Sequence, residues 1–394
     1  MLVTFIPDFI GIDSSLIKYS YWGIKVLLAC WVISKSSRSF FHFTALETLC
    51  LVILFIYLAN IFIDVFLDPI PILKSSRGLT DLIGFCLIIV LALSFRYDPA
   101  FHSPKSFWFF CISLVIGLIL AYFLARQNID LDVHNVRYDA NSSVNTIVYG
   151  QTGCALSLVS IFGFFNYKKK LFRIFFLVLF IVGMLSIARA GSRSPVVVLA
   201  LVSTFYFMAR LGNVKGIIII FVFVGLITIF INPIIGLLES MGSNLAIRLT
   251  SMVVKGESSG RDDIYSNTLN IIQGSPILGE YYFLPTGVGA GGYPHNFFLE
   301  VFLATGLLGG IPFMIMIFIS LVKAYKLIKV NHPSSWIIIL YLQMLVFGMF
   351  STGLYSSQDF WVLLFYIMSM KVYLGNVSTE TSLKPSHQSS LQIQ

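Results

Sequence analysis

The sequence predicts an all-α integral membrane protein, and three observations carry that expectation. Hydrophobic residues make up 57% of the 394 and charged residues only 11%. The mean hydropathy is +0.88. Apolar runs of bilayer length recur from end to end. A soluble domain keeps roughly a quarter of its residues charged to face water, so a chain this poor in charge uses lipid as part of its solvent. The net charge of +8 fits Lys and Arg gathered in cytoplasmic loops rather than a nucleic-acid partner.

A run of about twenty apolar residues crosses the hydrocarbon core. Such runs fall at 16–34, 43–65, 78–95, 106–125, 146–166, 171–188, 194–211, 215–236, 297–322, 335–355 and 358–374, which makes about eleven spans, within a range of roughly ten to twelve. The stretch before residue 16 reads as a re-entrant or interfacial piece. Met1–Gly11 has no basic start and no small-residue cleavage site, so no cleavable signal is expected. Cys30, Cys50, Cys86, Cys111 and Cys154 lie in apolar runs without CxxC spacing and read as packing residues.

Orientation follows from the basic residues. With the 34–43 link on the cytoplasmic side, Lys168–Lys170 and the row Lys323, Lys326, Lys329 fall there too, as the positive-inside rule requires. Residues 1–236 are then the first eight spans, 237–295 a large periplasmic loop, 296–375 the C-terminal spans, and 376–394 a disordered cytoplasmic tail. In the large loop, Ser243 is placed to cap a helix with Leu245, Leu249, Met252 and Val253 on one face. Ser259 and Asp262 form a capping-box pattern opening a second amphipathic helix, with Ile264, Leu269, Ile271 and Ile272, closed by Gly274 and Pro276. Glu47 and Asp81 are the main carboxylates inside apolar runs, and helix–helix hydrogen bonding is their ordinary role.

The residues with chemical promise map to the outer side. Arg189 and Arg193 share a tight hairpin with Gly191, Ser192 and Ser194, a cradle suited to an anion; four residues apart, they fit one helical face. Arg261 opens a helix, where a cation opposes the helix dipole, so another partner is expected. Glycines including Gly289 and Gly291 could present an anion nest. Asn296 is a good N-cap, which puts His295 at the positive end of the next helix and favours a neutral imidazole. Glu300 lies one turn further along and reads as a functional partner. The adjacent pair Asp262-Asp263 diverges on a helix and is no metal site.

These residues together resemble the O-antigen ligase/polymerase superfamily over about 150–320. The pattern is Gly191-Ser-Arg193, Gly260-Arg261, Pro276-Ile-Leu-Gly279, then Gly289 leading to His295-Asn296-Phe-Phe-Leu299-Glu300 and Gly306-Leu-Leu-Gly309. Tyr265 stands where such proteins often carry Trp. The resemblance implies a GT-C-like glycosyltransferase of the bacterial inner membrane that needs neither metal nor cofactor. It transfers an undecaprenyl-diphosphate-linked oligosaccharide on the periplasmic face. Arg193 and Arg261 would hold the diphosphate as leaving group, and His295 would act as base in an inverting displacement. Arg189, Gly289, Gly291, Asn296 and Glu300 are the further expected substrate-binding residues. Polymerase is the preferred activity, ligase its alternative, and a lipid-linked oligosaccharide flippase the alternative outside enzymes; a chain-length regulator is a candidate partner.

Overall fold

A computed structural model describes residues 23–27, 30, 31, 34, 43–67, 70, 75–96, 103–124, 126–130, 135–139, 146–212, 214–216, 218, 236, 245 and 261–370. The first long helix, α1 (Ala45–Phe62), starts on a complete capping box. Thr44 Oγ1 accepts from the Glu47 amide while Glu47 reaches back to the Thr44 amide. Glu47 also accepts from Arg96 Nε at 2.7 Å, joining the start of α1 to the end of α2 (Ser75–Ser94). Glu47, expected as a carboxylate inside an apolar run, sits in the first turn of α1 and there serves the expected helix–helix hydrogen bonding. Past Phe62 the helix widens into one π-turn, Ile63–Leu67, which carries the buried Asp64.

After α3 (Pro104–Leu124) the chain forms an antiparallel ribbon, β1 (Arg126–Asp130) with β2 (Asn135–Asp139). This is a small departure from an all-helical chain. Next come α4 (Thr146–Asn166) and α5 (Lys170–Ala190). These two approach closely because both are glycine at the crossing: a Cβ on Gly183 would sit 2.6 Å from the Gly153 carbonyl oxygen. Small residues at such crossings let helices pack in lipid by close contact. Gly191, left-handed at φ 63°, ends α5, and α6 (Ser194–Leu211) begins with Pro195 in its first turn.

The second half contains α7 (Arg261–Gly274), α8 (Phe297–Lys329), α9 (Ser335–Gly348), a 3₁₀ turn at Leu354–Ser356 and α10 (Gln358–Ser369). The start of α7 fits the expected amphipathic helix; Ser259 and most of the Ser243 helix lie outside the described residues. Its buried position is Thr268, fully covered, whereas Leu269 is 48% exposed. Of the expected apolar positions only Leu269 faces out; Ile264, Ile271 and Ile272 are half-buried on the side of Thr268, whose hydroxyl bonds the Ile264 carbonyl at 2.6 Å.

The length of α8 conceals a break. Gly306 sits at φ 54°, ψ −151° inside it, a conformation that excludes β-carbon-bearing residues at low cost. An unbroken helix would bond Leu307 N–H to Leu303 and Leu308 N–H to Ala304. Instead, Leu307 donates to Pro276 O at 2.8 Å and Leu308 to Ile277 O at 3.0 Å, while Leu303 O accepts from Glu280 and Tyr281. The Pro276–Tyr281 segment is thus threaded into the gap. Gly279 allows it: its Cβ would meet Gly306 N at 2.5 Å.

Seven of these helices are long and apolar enough to span a bilayer: Ala45–Leu67, Arg77–Ser94, Pro104–Phe123, Thr146–Asn166, Lys170–Ala190, Ser194–Leu211 and Phe297–Lys329. Ser335–Gly348 is apolar but shorter; at 14 residues it reaches about 21 Å, less than the hydrocarbon core. The expected span at 335–355 therefore ends early, in the loop before α10. The expected spans 16–34 and 215–236 lie mostly outside the described residues.

The core runs where α1, α2, α8 and α10 meet. Tyr57 contacts Phe85 at 5.1 Å, Phe85 meets Trp361 edge-on at 6.4 Å, and Phe313 meets Trp361 at 6.0 Å. Outward faces stay apolar: Phe109, Phe123 and Leu171 are each over 70% exposed, as surfaces bathed in lipid should be. At the end of the bundle carrying Glu47 and Arg96, Lys323 donates to Met368 O and Met370 O, capping the C-terminal carbonyls of α10 with a cation.

Candidate active site

The opposite end of the bundle forms a mouth. Four segments supply it: the Asp64 π-turn with the start of α2, the α5–α6 hairpin, the 276–296 loop, and the 349–357 link before α10. The 276–296 loop is pinned at many points. Asp64 Oδ2 accepts from the Tyr282 amide at 2.7 Å. Asn267, on α7, donates its side-chain amide to Thr286 O and Val288 O at 2.8 and 3.0 Å. Leu284 and the glycines pair as a tight ribbon, Leu284 N to Gly292 O and Gly291 N to Leu284 O, both 2.9 Å.

That ribbon corrects the anion-nest expectation at Gly291. The amides of Ala290, Gly291 and Gly292 all donate to carbonyls within the loop, so they do not point at a ligand. The glycines are needed for backbone shape: Gly287, Gly289 and Gly291 have φ of 76°, 85° and 75°.

The loop ends on His295. Asn296 caps α8 as the sequence suggests, its side-chain oxygen accepting from the Phe298 and Leu299 amides at 2.9 and 3.3 Å. His295 itself is left-handed at φ 58°, a conformation that costs an L-residue about 1 kcal/mol. Its ring lies 4.3 Å from that of Tyr293. Tyr293 rests against Tyr355, which also touches Tyr282 and Phe283, so the imidazole has an aromatic floor. Its Nδ1 is buried with no hydrogen-bond partner among the described residues. Burial first, and then the charge of Arg261, push the imidazole below its ordinary pKa. The neutral ring at pH 7 is the form that can accept a proton.

Arg261 and His295 are thus brought into electrostatic range of one another. Arg193 sits at the N-cap of α6, half-buried. Its neighbour Ser194 accepts a hydrogen bond from Ser351 at 3.2 Å. Two residues on, a Cβ at Gly353 would lie 3.0 Å from the Tyr293 ring. The 351–353 turn therefore connects the Arg193 hairpin to the ring stacked on His295.

Arg189 does not share a helical face with Arg193, because the left-handed Gly191 stands between them and ends α5. The Arg189 guanidinium lies over the Tyr122 ring at 4.3 Å and donates to Tyr122 O at 2.9 Å. Its described contacts anchor the end of α3.

Glu300 also needs correction. It is fully buried, with Oε1 accepting from Tyr57 OH at 2.8 Å and the Tyr355 amide at 3.0 Å, and Oε2 from the Leu354 amide at 2.7 Å. A carboxylate enclosed by three donors cannot touch a substrate; it positions α1, α8 and the turn under Tyr293. Asp81, expected to bond between helices, instead pairs with the loop and with its own helix: it accepts from Tyr282 OH at 3.4 Å and lies 3.9 Å from Arg77.

Arg77 is the site residue that the sequence reading passed over. Its guanidinium lies 4.5 Å over the Phe283 ring, and it donates to Gly291 O at 3.3 Å. The phenol of Tyr293 is raised by burial and the Glu300 carboxylate, against the opposing pull of Arg261 and Arg77. Two arginines from distant segments thus flank the tyrosine beneath His295. A signal was present: Arg77 opens α2 as Arg261 opens α7, a cation set against the helix dipole.

No curated protein matches the chain. Residues 176–314, which run from within α5 to beyond the Gly306 break and hold Arg193, Arg261 and His295, match the family model described as O-antigen ligase, so over that segment the chain is similar to the O-antigen ligase family.

Proposed function

We propose that the protein is an O-antigen polymerase with its mouth facing the periplasm, a metal-independent inverting glycosyltransferase of the GT-C kind. The observation that carries this reading is His295: a neutral, half-buried imidazole in a left-handed turn, beside Arg261 and over an aromatic floor. An acceptor sugar hydroxyl, carried on one lipid-linked repeat unit, attacks the anomeric carbon of the donor glycan. His295 takes the hydroxyl proton as the new C–O bond forms. The bond from the anomeric carbon to the diphosphate oxygen breaks with inversion, and undecaprenyl diphosphate leaves. Arg193 and Arg261 neutralise the charge that grows on that leaving group, with Arg suited to paired hydrogen bonds on phosphate.

Transfer to lipid A-core, the ligase reaction, would use the same donor chemistry. Polymerase is preferred as the more sequence-diverse group, in which a poorly matching N-terminal half is expected; the family match here begins only at residue 176. Expression in strains lacking either the polymerase or the ligase separates the two. A restored ladder of multiple repeats in the polymerase-deficient strain supports polymerase; restored attachment to core in the ligase-deficient strain supports ligase. A flippase would restore neither, and His295→Ala would leave its transport intact.

A further inference from the structure

A second polar feature shares the 349–357 link with the candidate site, and neither the catalytic residues nor the family match accounts for it. It is a cavity of about 250 Å³, whose polar walls are Lys25, Gln151, Thr352, Ser357, Gln358 and Asp359, with Ser356 also on its lining. Met344 and Phe360 add an apolar patch. The walls are braced: Lys25 donates to the Gln358 side chain, Thr352 and Ser357 share a hydrogen bond at 2.9 Å, and Gln343 fixes the Gln151 carbonyl at 2.8 Å.

Its place in the fold matters more than its size. The wall residue Thr352 lies between Ser351, which bonds Ser194 beside Arg193, and Gly353, which abuts the Tyr293 ring under His295. The cavity is therefore lined by the turn that joins the two halves of the candidate active site. Its chemistry differs from theirs. A phosphate site gathers cations, but here one lysine is balanced by Asp359, and the remaining groups are hydroxyls and amides that both donate and accept. That mixture matches a ring bearing several hydroxyls, and the apolar patch suits the C–H face of a sugar. The volume is below that of pockets for drug-sized ligands, and it fits about one sugar residue.

We propose that this cavity is a sugar subsite, which binds one residue of the lipid-linked glycan while the arginines hold the diphosphate. The inference rests on the glycosyltransferase reading and adds to it a specific recognition surface for the glycan. It separates carrier recognition from sugar recognition, placing them on different residues.

The test uses the full-length protein in detergent and two probes: undecaprenyl diphosphate without sugar, and the lipid-linked repeat unit extracted from the host's own membranes. Ser356→Phe intrudes on the cavity from an exposed position, so folding is spared. Thermal stabilisation is titrated with each probe. The expected result is that the wild type responds to both, more tightly to the sugar-bearing probe, and that Ser356→Phe loses about ten-fold in apparent affinity for that probe alone, as loss of one or two hydrogen bonds would give. Unchanged sugar-dependent affinity in Ser356→Phe overturns the subsite. If Ser356→Phe loses both responses, Asp359→Asn decides by the same criterion. A wild type that responds to neither probe overturns the glycosyltransferase reading itself, and the subsite with it. Loading the acceptor or the donor form of the glycan first distinguishes which of the two sugars occupies the cavity.

Discussion

Replacing Glu300 by Gln is the most searching perturbation of the mouth, because it exchanges one oxygen for an NH₂ group and leaves size untouched. In the wild type, Oε1 accepts from Tyr57 OH and the Tyr355 amide, and Oε2 from the Leu354 amide. A glutamine has one accepting oxygen. If that oxygen takes the Oε1 place, its NH₂ faces the Leu354 N–H; if it takes the Oε2 place, its NH₂ faces the Tyr355 N–H. Either way one buried backbone donor is left unpaired, which costs about 1–3 kcal/mol. Glu300→Ala strands all three donors and opens a cavity, so its cost is about 3–6 kcal/mol. The midpoint of heat-induced aggregation should fall for Gln and fall further for Ala. Because the Tyr355 turn supports Tyr293 beneath His295, the transfer rate of Glu300→Gln should drop at saturating substrate while KM stays close to wild type. A Glu300→Gln protein with wild-type midpoint and rate would refute the positioning role. One with raised KM alone would return Glu300 to the substrate.

The remaining predictions concern the base, the break and the passed-over arginine. Burial and the charge of Arg261 hold the His295 imidazole below 6.5, so kcat/KM should stay flat as pH falls to that value and decline only on its acid side; Arg261→Gln should move this acid limb upward even as it lowers the overall rate. For stability the sign is the same: the unfolded imidazole protonates near its ordinary 6.5 while the folded one resists, so stability is complete above that value and is lost as pH falls through the folded pKa. Gly306→Ala adds a Cβ 2.4 Å from the Ile277 carbonyl carbon in a backbone region suited only to glycine, at about 2–6 kcal/mol; the yield of folded protein on size exclusion should collapse, and equal recovery would contradict the threaded loop. Arg77→Ala should cost only about 1 kcal/mol in stability, since its ion pair is long and half-exposed, yet raise KM for the lipid-linked substrate several-fold; a lowered melting midpoint with unchanged KM would make it a loop anchor instead.

Local pattern was legible in the sequence, and pairing across distance was not. Asn296 caps α8 as its type dictates, whereas the Thr44–Glu47 capping box of α1 went unread, because Glu47 lies in an apolar run. The helix α7 ends at Gly274, where the breakers Gly274 and Pro276 put its close. Arg189 and Arg193 were misjudged because their four-residue spacing fits a helix, while Gly191 stops the helix between them. Glu300 was misjudged for a different reason. A carboxylate in an apolar run announces a polar partner but not which one, and its partners come from Tyr57 and from the turn at Leu354 and Tyr355. Thr268 outranks Leu269 inside α7 because a hydroxyl bonded to its own helix can be buried cheaply. Arg77 carried the same dipole signal as Arg261 and lacked only a neighbouring motif to draw the eye.

The two short motifs Pro276-Ile-Leu-Gly279 and Gly306-Leu-Leu-Gly309 make sense only as one device. Breaking α8 at Gly306 frees the Leu303 carbonyl and the Leu307 and Leu308 amides, which in lipid would each be costly if unpaired. The 276–281 segment supplies the missing partners, so the break and the segment are thermodynamically inseparable. Between that crossing and the Asn296 cap lie only residues 282–295, and that stretch is tied again by Asp64 and Asn267. Its two ends are fixed within a single helix, on either side of the half-helix 297–305. The loop that presents His295 is therefore closed by hydrogen bonds at both feet, which limits the entropy available to it. A left-handed histidine with an unpaired Nδ1 is tolerable on such a loop and would relax on a free one. That makes the Gly279–Gly306 crossing a determinant of His295 geometry. Gly279→Ala should accordingly disturb the acid limb of the pH profile as well as stability, although no atom of Gly279 belongs to the candidate site.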